Sequence, residues 1–536
     1  MSHIFLYGPP GSGKSTIGKI LADRLQMTFR DIDDVIEDTA GCRIAEIFER
    51  HGEKFFRDME TTAIIKTTEG ESKVIALGGG ALLRDKNRKH AEKTGSVLCF
   101  TADKETLLGR IRRAPGQRPL ANEDKNTPVT NSPLLKLLEK RAEHYNSFRL
   151  RLRVSDIHPE ETASNAQKAL GRFRVSGMGK SYPVFCGSGL INSAGMLLKE
   201  QQPGRNCVIV SDSNTAPLYA QKVAESLEKE GITASNATIR AGEEYKTVET
   251  VICLWKKFME AGIERNDTII ALGGGVTGDL TGFAASTWLR GVRWVSMPTT
   301  LLSMCDSGIG GKTGADLPEG KNLIGTFHPP ALVIADTDTL STLPVREIRC
   351  GLAETIKHAI IGDPGILKKL HKFGFCRNMK DSSPCTALKQ ADWLAEFVAG
   401  SMAVKISIVT ADPFEKGIRA SLNLGHTIGH GIEKATGFSM QHGEAVAVGI
   451  VMEAEIAAEM QLADRQLPSQ IRELFDAAGL PTSPPDDINS DQVIKAIALD
   501  KKKAGGRIRF ALPVEIGKVQ TGIVVADELL RKIISR

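Results

Sequence analysis

The sequence predicts an α/β section, then a second α/β section that closes in a mostly helical region, and three observations predict it. Short apolar strands alternate with helical stretches up to about residue 170. The alternation restarts near residue 173, where NCVIVSD and DTIIALGGG read as strands. From about Arg346 the strand signals fade and helical periodicity takes over, in IRCGLAETIKHAIIG, ADWLAEFVAGSMAVKISIVT and GEAVAVGIVMEAEIAAEMQ. A chain of 536 residues is long for one core, and the expected divisions are 1–170, 171–345 and 346–536.

Taken in order, HIFLYG, KVIALG and SVLCF are the strands of the first section, and PEETASNAQKALGR, from Pro159 to Arg172, is its closing helix. In the second section AQKVAESLEKEG reads as a helix ending at a glycine. The pentapeptide ALGGG occurs in both, at 76–80 and 271–275. Each copy ends a strand on three glycines, which lets backbone pass close to a ligand. The flanks do not align, so the two copies are one device used twice and no internal repeat.

Composition excludes several classes. With 41% hydrophobic and 25% charged residues the chain is an ordinary globular one, not a disordered one. A net charge of +5 is too weak to call for nucleic acid, although it suits small anions if the charges converge in clefts. Nine scattered cysteines without a C-x-x-C pair fit a reducing compartment. The start of the chain shows no basic leader or cleavable apolar segment, and no run approaches the roughly 18 apolar residues of a membrane span, so cytoplasm and no membrane partner are expected.

GPPGSGKS, Gly8 to Ser15, fits G-x-x-x-x-G-K-[ST] between a strand and the helical IGKILADRL. That context makes it a phosphate cradle, in which Gly11, Ser12, Gly13, Lys14, Ser15 and Thr16 face the nucleotide, Lys14 reaches the outer phosphates and Ser15 ligates Mg²⁺ brought with ATP. DIDD at 31–34, GEKFFRDME at 52–60, GGG at 78–80, QRPL at 117–120 and EKRAEHY at 139–145 follow. Together, and in this order, these segments resemble shikimate kinase. The resemblance implies Asp33 on the substrate hydroxyls and as base, and Arg57 and Arg141 as a carboxylate clamp. Gly79 and Gly80 bring amides to the ring, Arg118 lies in a lid over ATP, and Asp31 sits near the metal. The physics agrees, because phosphoryl transfer needs mostly positioning and charge neutralisation, and a guanidinium pairs bidentately with a carboxylate.

In the last region His426 and His430 stand four apart on an expected helix, His442 follows after a loop, and Glu354 lies on an earlier helix. One carboxylate and two imidazoles make a common catalytic zinc set. Spacing alone favours His426 and His430. Lys312, Lys321, Asn322, Lys357, Lys405, Arg419 and Asn423 crowd the same motifs, a collection suited to a substrate with both carboxylate and phosphate.

The run GGGVTGDLTGFAASTWLRGVRW, PTTLLSMCDSGIGGKTGADLPEGKNLIGTF, GLAETIKHAI and RASLNLGHTIGHGIE resembles 3-dehydroquinate synthase over essentially all of 171–536. The resemblance implies an α/β NAD-binding domain, then a helical metal-binding one. It selects Glu354, His426 and His442 as ligands for Zn²⁺ or another divalent metal such as Co²⁺, and leaves His430 to touch substrate. It assigns NAD to Asp212, Asn214, Glu243, Lys246, Gly274, Gly275, Val276, Asp279, Thr299, Thr300, Lys312, Lys321, Thr339 and Thr342. Substrate falls to Asn322, Lys405, Arg419, Asn423 and Lys502, and to Arg290 reaching across the interface of a homodimer formed by this half. Asp306, Lys312, Lys357 and His430 are the implied catalytic groups.

The implied reaction takes a seven-carbon keto acid phosphate to 3-dehydroquinate. Hydride leaves a ring alcohol for NAD, phosphate is lost, the hydride returns, the ring opens and an aldol closure follows. Gly308, Ile309, His358 and Ile428 depart from the family's usual residues, and none of them removes an implied ligand. The alternative for this half is a metal-dependent alcohol or glycerol dehydrogenase of related fold.

Overall fold

The computed structural model describes residues 2–113, 132–372, 391–486, 488–503 and 508–535. They form two compact units, Met1–Phe173 and Arg174–Arg536.

In the first unit five parallel strands, β1 (His3–Tyr7), β2 (Thr28–Asp31), β3 (Lys73–Ala76), β4 (Gly95–Thr101) and β5 (Leu150–Arg153), lie in the order β2-β3-β1-β4-β5. Every residue of HIFLY in β1 is buried, as expected of a central parallel strand covered on both faces. One core cluster packs Phe5 and Tyr7 against Ile64 and Phe148. A second packs Ile4 and Leu6 against Leu21 and Ala163. The closing helix runs Pro159–Leu170 and is capped by Gly171.

The second unit is built on a seven-stranded sheet of β6 (Arg172–Val175, its first two residues counted with the first unit), β7 (Tyr182–Gly187), β8 (Asn206–Asp212), β9 (Thr233–Ile239), β10 (Thr268–Gly273), β11 (Arg293–Pro298) and β14 (Leu332–Asp336). Its order is β6-β7-β14-β11-β10-β8-β9. Between β11 and β14 the antiparallel hairpin β12 (Lys312–Leu317) and β13 (Gly320–Phe327) carries the GGKTG and GKN segments.

After β14 the chain turns helical. Val345–Ile361 and His442–Glu459 each bury 13 residues, so both are covered on nearly every face, and the first buries Glu354, Lys357 and His358 along with its apolar residues. Ala391–Ala411 includes a stretch, Trp393–Ala411, long and apolar enough by length and composition to cross a membrane, contrary to the expectation that no run approaches that length. It is 67% buried inside the fold, with Phe397, Val398 and Met402 fully covered. The last region is not helical throughout. The antiparallel hairpin β15 (Phe510–Glu515) and β16 (Lys518–Ile523) lies near its end.

Among the described residues the seven cysteines are all free.

Candidate functional sites

In the first unit β1 ends at Tyr7 and the helix Lys14–Leu25 begins at Gly13, whose φ of 86° is the left-handed conformation a side chain disfavours. The loop between them presents its amides at a helix N-terminus, the arrangement that receives phosphate. Lys14 Nζ turns back on the loop and donates to the carbonyls of Gly8 at 2.9 Å and Pro9 at 3.0 Å. Ser15 Oγ donates to Asp31 Oδ2 at 2.6 Å, which brings together the hydroxyl and carboxylate assigned to Mg²⁺. Asp31 also caps the helix Ile32–Ala40 by accepting the Asp33 N–H.

A cavity of about 450 Å³ joins this loop to Asp33, Arg57, Gly79, Gly80 and Arg141. Gly11, Gly13, Ser15 and Thr16 share its wall, while Ser12 is buried beneath, its hydroxyl on Pro9 O at 2.8 Å. Arg57 donates to Glu60 Oε2 at 2.8 Å and to Glu53 Oε1 at 3.2 Å. Glu60 is fully buried, and burial pushes its carboxyl up to about 7 against the pull of Arg57. The Gly79 carbonyl accepts from Arg141 Nη1 at 3.0 Å, Tyr145 OH at 2.7 Å and Tyr7 OH at 3.2 Å. Three donors on one carbonyl fix the peptide plane of the glycine turn, which leads into the 3-10 turn Ala81–Leu83.

Sequence reasoning missed Glu60, Tyr7, Tyr145 and Arg110, a further cation on the cavity wall. Glu60 and Tyr145 lay inside quoted motifs. Arg118 lies outside the described residues.

The second ALGGG leads instead into a helix. β10 ends at Gly273 and the helix Gly275–Thr287 starts two residues later. A Cβ on Gly274 would stand 3.2 Å from the Thr300 methyl, and one on Gly275 would stand 3.1 Å from Ser307 Oγ. The backbone thus stays open at a helix N-terminus, as a pyrophosphate requires. Val276 and Asp279 follow on that helix.

Lys246 is buried and donates to Asp279 Oδ2 and Asn322 Oδ1, both at 2.6 Å. Asp212 Oδ1 accepts the Asn214 N–H at 2.9 Å, tying the turn after β8. Thr299 N–H bonds Gly273 O at 2.9 Å, and Thr339 Oγ1 donates to Thr299 O at 3.3 Å. Thr342 Oγ1 lies 2.5 Å from Tyr219 OH. Glu243 and Lys321 form an ion pair at 3.5 Å.

Three helices build the metal-like centre. Glu354 lies on the helix Val345–Ile361, His426 and His430 on His426–Ala435, and His442 opens His442–Glu459. Glu354 Oε1 is 3.8 Å from His426 Nε2 and 3.7 Å from His442 Nε2. The His430 ring packs 5.3 Å from that of His426 and 6.0 Å from that of His442.

The His426 Nδ1 sits 3.1 Å from Leu424 O and must carry the proton, because a carbonyl only accepts, so Nε2 is left to bind. Burial, then Lys357 and His442, keeps His426 well below its usual range and neutral. At His442 burial lowers the imidazole as well, but Glu433, 3.5 Å from Nδ1, outweighs it and raises the group above its usual range.

Glu354 is wholly buried and ion-paired to Lys357, yet neither of its oxygens accepts a hydrogen bond among the described residues. A buried carboxylate facing two imidazole nitrogens in this way fits a divalent metal. Two other groups share these residues, His430 with Glu433 and His442, and Asp306 with Glu354 and His358. The first has His430 exposed, and the second has Asp306 already committed to Lys405.

Cations surround the centre. Lys405 Nζ donates to Asp306 O and Oδ1, both at 2.6 Å. Burial alone would raise the Asp306 carboxyl, but Lys405 and then Lys357 hold it well below the usual carboxylate range. Lys312 pairs with Glu415 at 2.5 Å, and Asn423 Nδ2 donates to the same carboxylate at 2.8 Å. Arg419 is buried with a guanidinium N–H on Pro413 O. His358 is buried with Nδ1 on Ser401 Oγ at 2.8 Å, and burial pushes it down to about 3. Ile428 is core and Ile309 is buried.

Arg290 sits exposed on the turn Trp288–Arg290, in left-handed backbone, outside this network. Lys502 falls in the helix Ser490–Lys503, and its side chain lies outside the described residues. Glu433 and Glu415 were not singled out from the sequence.

Family comparison agrees with this division. Residues 10–171 match the family model for shikimate kinase, 236–350 that for the 3-dehydroquinate synthase N-terminal region, and 351–503 that for its C-terminal region. The 3-dehydroquinate synthase of Symbiobacterium thermophilum is 41% identical over 353 residues, which is 65% of this chain and 96% of that protein. That of Xanthomonas campestris pv. campestris is 43% identical over 347 residues, 63% of this chain and 91% of that protein.

Two solved structures share the fold of the second unit. 2-Deoxy-scyllo-inosose synthase complexed with carbaglucose-6-phosphate, NAD⁺ and Co²⁺ is 27% identical over 68% of this chain and 99% of its own, with a TM-score of 0.59. 2-Epi-5-epi-valiolone synthase from Streptomyces hygroscopicus, with NAD⁺ and Zn²⁺, is 26% identical over 68% of this chain and 98% of its own, with a TM-score of 0.60. The chain therefore belongs to the 3-dehydroquinate synthase family through its second unit, and ahead of that unit it carries a shikimate kinase domain.

Proposed function

We propose that the chain runs two reactions of the shikimate pathway at separate sites. The first unit phosphorylates the 3-hydroxyl of shikimate from ATP. The second converts 3-deoxy-D-arabino-heptulosonate 7-phosphate to 3-dehydroquinate and phosphate. The observation that supports the second reading best is the meeting of Glu354, His426 and His442 beside the buried Lys357 and Lys405. A dehydrogenase acting on a small polyol would have no use for those cations.

In the kinase, Arg57 and Arg141 hold the substrate carboxylate and Asp33 takes the hydroxyl proton. Lys14 reaches the outer phosphates, Arg118 belongs to the lid over ATP, and Ser15 and Asp31 hold Mg²⁺. In the synthase, the region 171–345 binds NAD and 346–536 holds the metal. Lys312, Lys405, Arg419, Asn423 and Lys502 receive the carboxylate and phosphate. Glu433 orients His442 so that Nε2 turns toward Glu354, and Asp306 anchors Lys405. When bound, Mg²⁺ neutralises phosphate charge, the second metal supplies Lewis acidity, and NAD supplies reversible hydride transfer.

We also propose that the protein is a cytoplasmic homodimer joined through the synthase half, with the partner's Arg290 completing each site.

One assay separates the readings of the second unit. With NAD present, a synthase releases inorganic phosphate with no net NADH, whereas a dehydrogenase accumulates NADH in step with product.

A further inference from the structure

The helices that carry His426 and His442 cross with almost no space between them. A Cβ on Gly449 would lie 2.1 Å from Gly425 O, and one on Gly425 would lie 2.4 Å from Ile450 Cγ1. The helix His426–Ala435 begins after Gly425, which has no side chain to cap it. Its cap comes from the neighbouring helix. Glu453, on His442–Glu459 and fully buried, accepts the Gly425 N–H through Oε2 at 2.5 Å. No step of the proposed reactions uses this acid.

The peptide bond Leu424–Gly425 links that acid to the metal-like centre. Its N–H faces Glu453, and its carbonyl accepts from His426 Nδ1 at 3.1 Å. In a trans peptide the N–H and C=O point in opposite directions. Fixing one end therefore fixes the other, and with it the imidazole tautomer that leaves Nε2 for a metal. His426 is the first residue of its helix, so an untied first turn would release the ring along with the backbone.

We propose that Glu453 is a positioning residue for the metal centre: lent by the His442 helix, it caps the His426 helix and sets the peptide that orients His426. This rests on the reading in which Glu354, His426 and His442 hold the metal.

The test titrates the metal-free full-length protein with Co²⁺ and with Zn²⁺. Glu453→Ala is expected to weaken metal binding about 10- to 100-fold, the usual effect of losing a residue that orients a ligand, and to shift the visible Co²⁺ bands. NAD affinity should stay unchanged. Burial holds the Glu453 carboxyl well above the ordinary carboxylate range, so Glu453→Gln mimics the neutral acid and should bind metal as the parent does. If Glu453→Ala fails to fold, the Gln variant decides: parental affinity supports the role, and a tenfold loss overturns it. Parental affinity and spectrum in Glu453→Ala would overturn it too. His426→Ala is the control on the underlying reading, because unaltered metal affinity there would reject the ligand set itself and not merely Glu453.

Discussion

Glu354 and Lys357 form an ion pair one helical turn apart with both side chains sealed from solvent, and the same carboxylate faces His426 and His442. Removing one member of a buried pair leaves the other charge uncompensated, at a cost of about 3–5 kcal/mol. Lys357→Met should therefore destabilise the metal-free second unit by about that much, with a divalent metal recovering part of the loss. All four tryptophans, Trp255, Trp288, Trp294 and Trp393, lie in this unit, so denaturant unfolding followed by tryptophan fluorescence reads it alone.

Glu60 gives the first unit a pH dependence of definite sign. Its carboxyl is raised from 4.5 to about 7 by burial, so the native state binds a proton that the unfolded chain has already released. The stabilisation is complete below about pH 4.5 and is lost as the pH rises through about 7, amounting to about 3 kcal/mol. Hydrogen exchange in residues of the first unit should show protection falling across that window. In Glu60→Gln the slope should vanish.

Gly80 lies against the Arg57 guanidinium, and a Cβ there would come 2.7 Å from Nη2. Gly80→Ala should displace the arginine and raise the KM for shikimate about tenfold, roughly the worth of one charge-assisted hydrogen bond. Phosphate release by the second unit should not change. Equal KM values for Gly80→Ala and the parent would remove Arg57 from the clamp.

What was legible in the sequence was local. The Gly8–Ser15 loop needs only consecutive residues between a strand and a helix, and it stands where that pattern put it. His426 and His430 share a helix, but spacing could not show that His442 begins a second helix with its Nε2 turned to Glu354. Glu453 and Gly425 are 28 residues apart, and Lys312 and Glu415 are 103 apart, so such pairs exist only once the helices pack. The β15–β16 hairpin escaped because Pro513 interrupts the first strand and the second alternates exposed and half-buried residues without an apolar run.

The central claim is that one chain holds two independent catalytic centres. It is tested most directly by measuring shikimate phosphorylation and phosphate release on the same purified full-length variants. Lys14→Met should abolish the first activity and leave the second at the parental rate, and His426→Ala should do the reverse. Loss of both activities from either substitution, or of neither, would contradict the account.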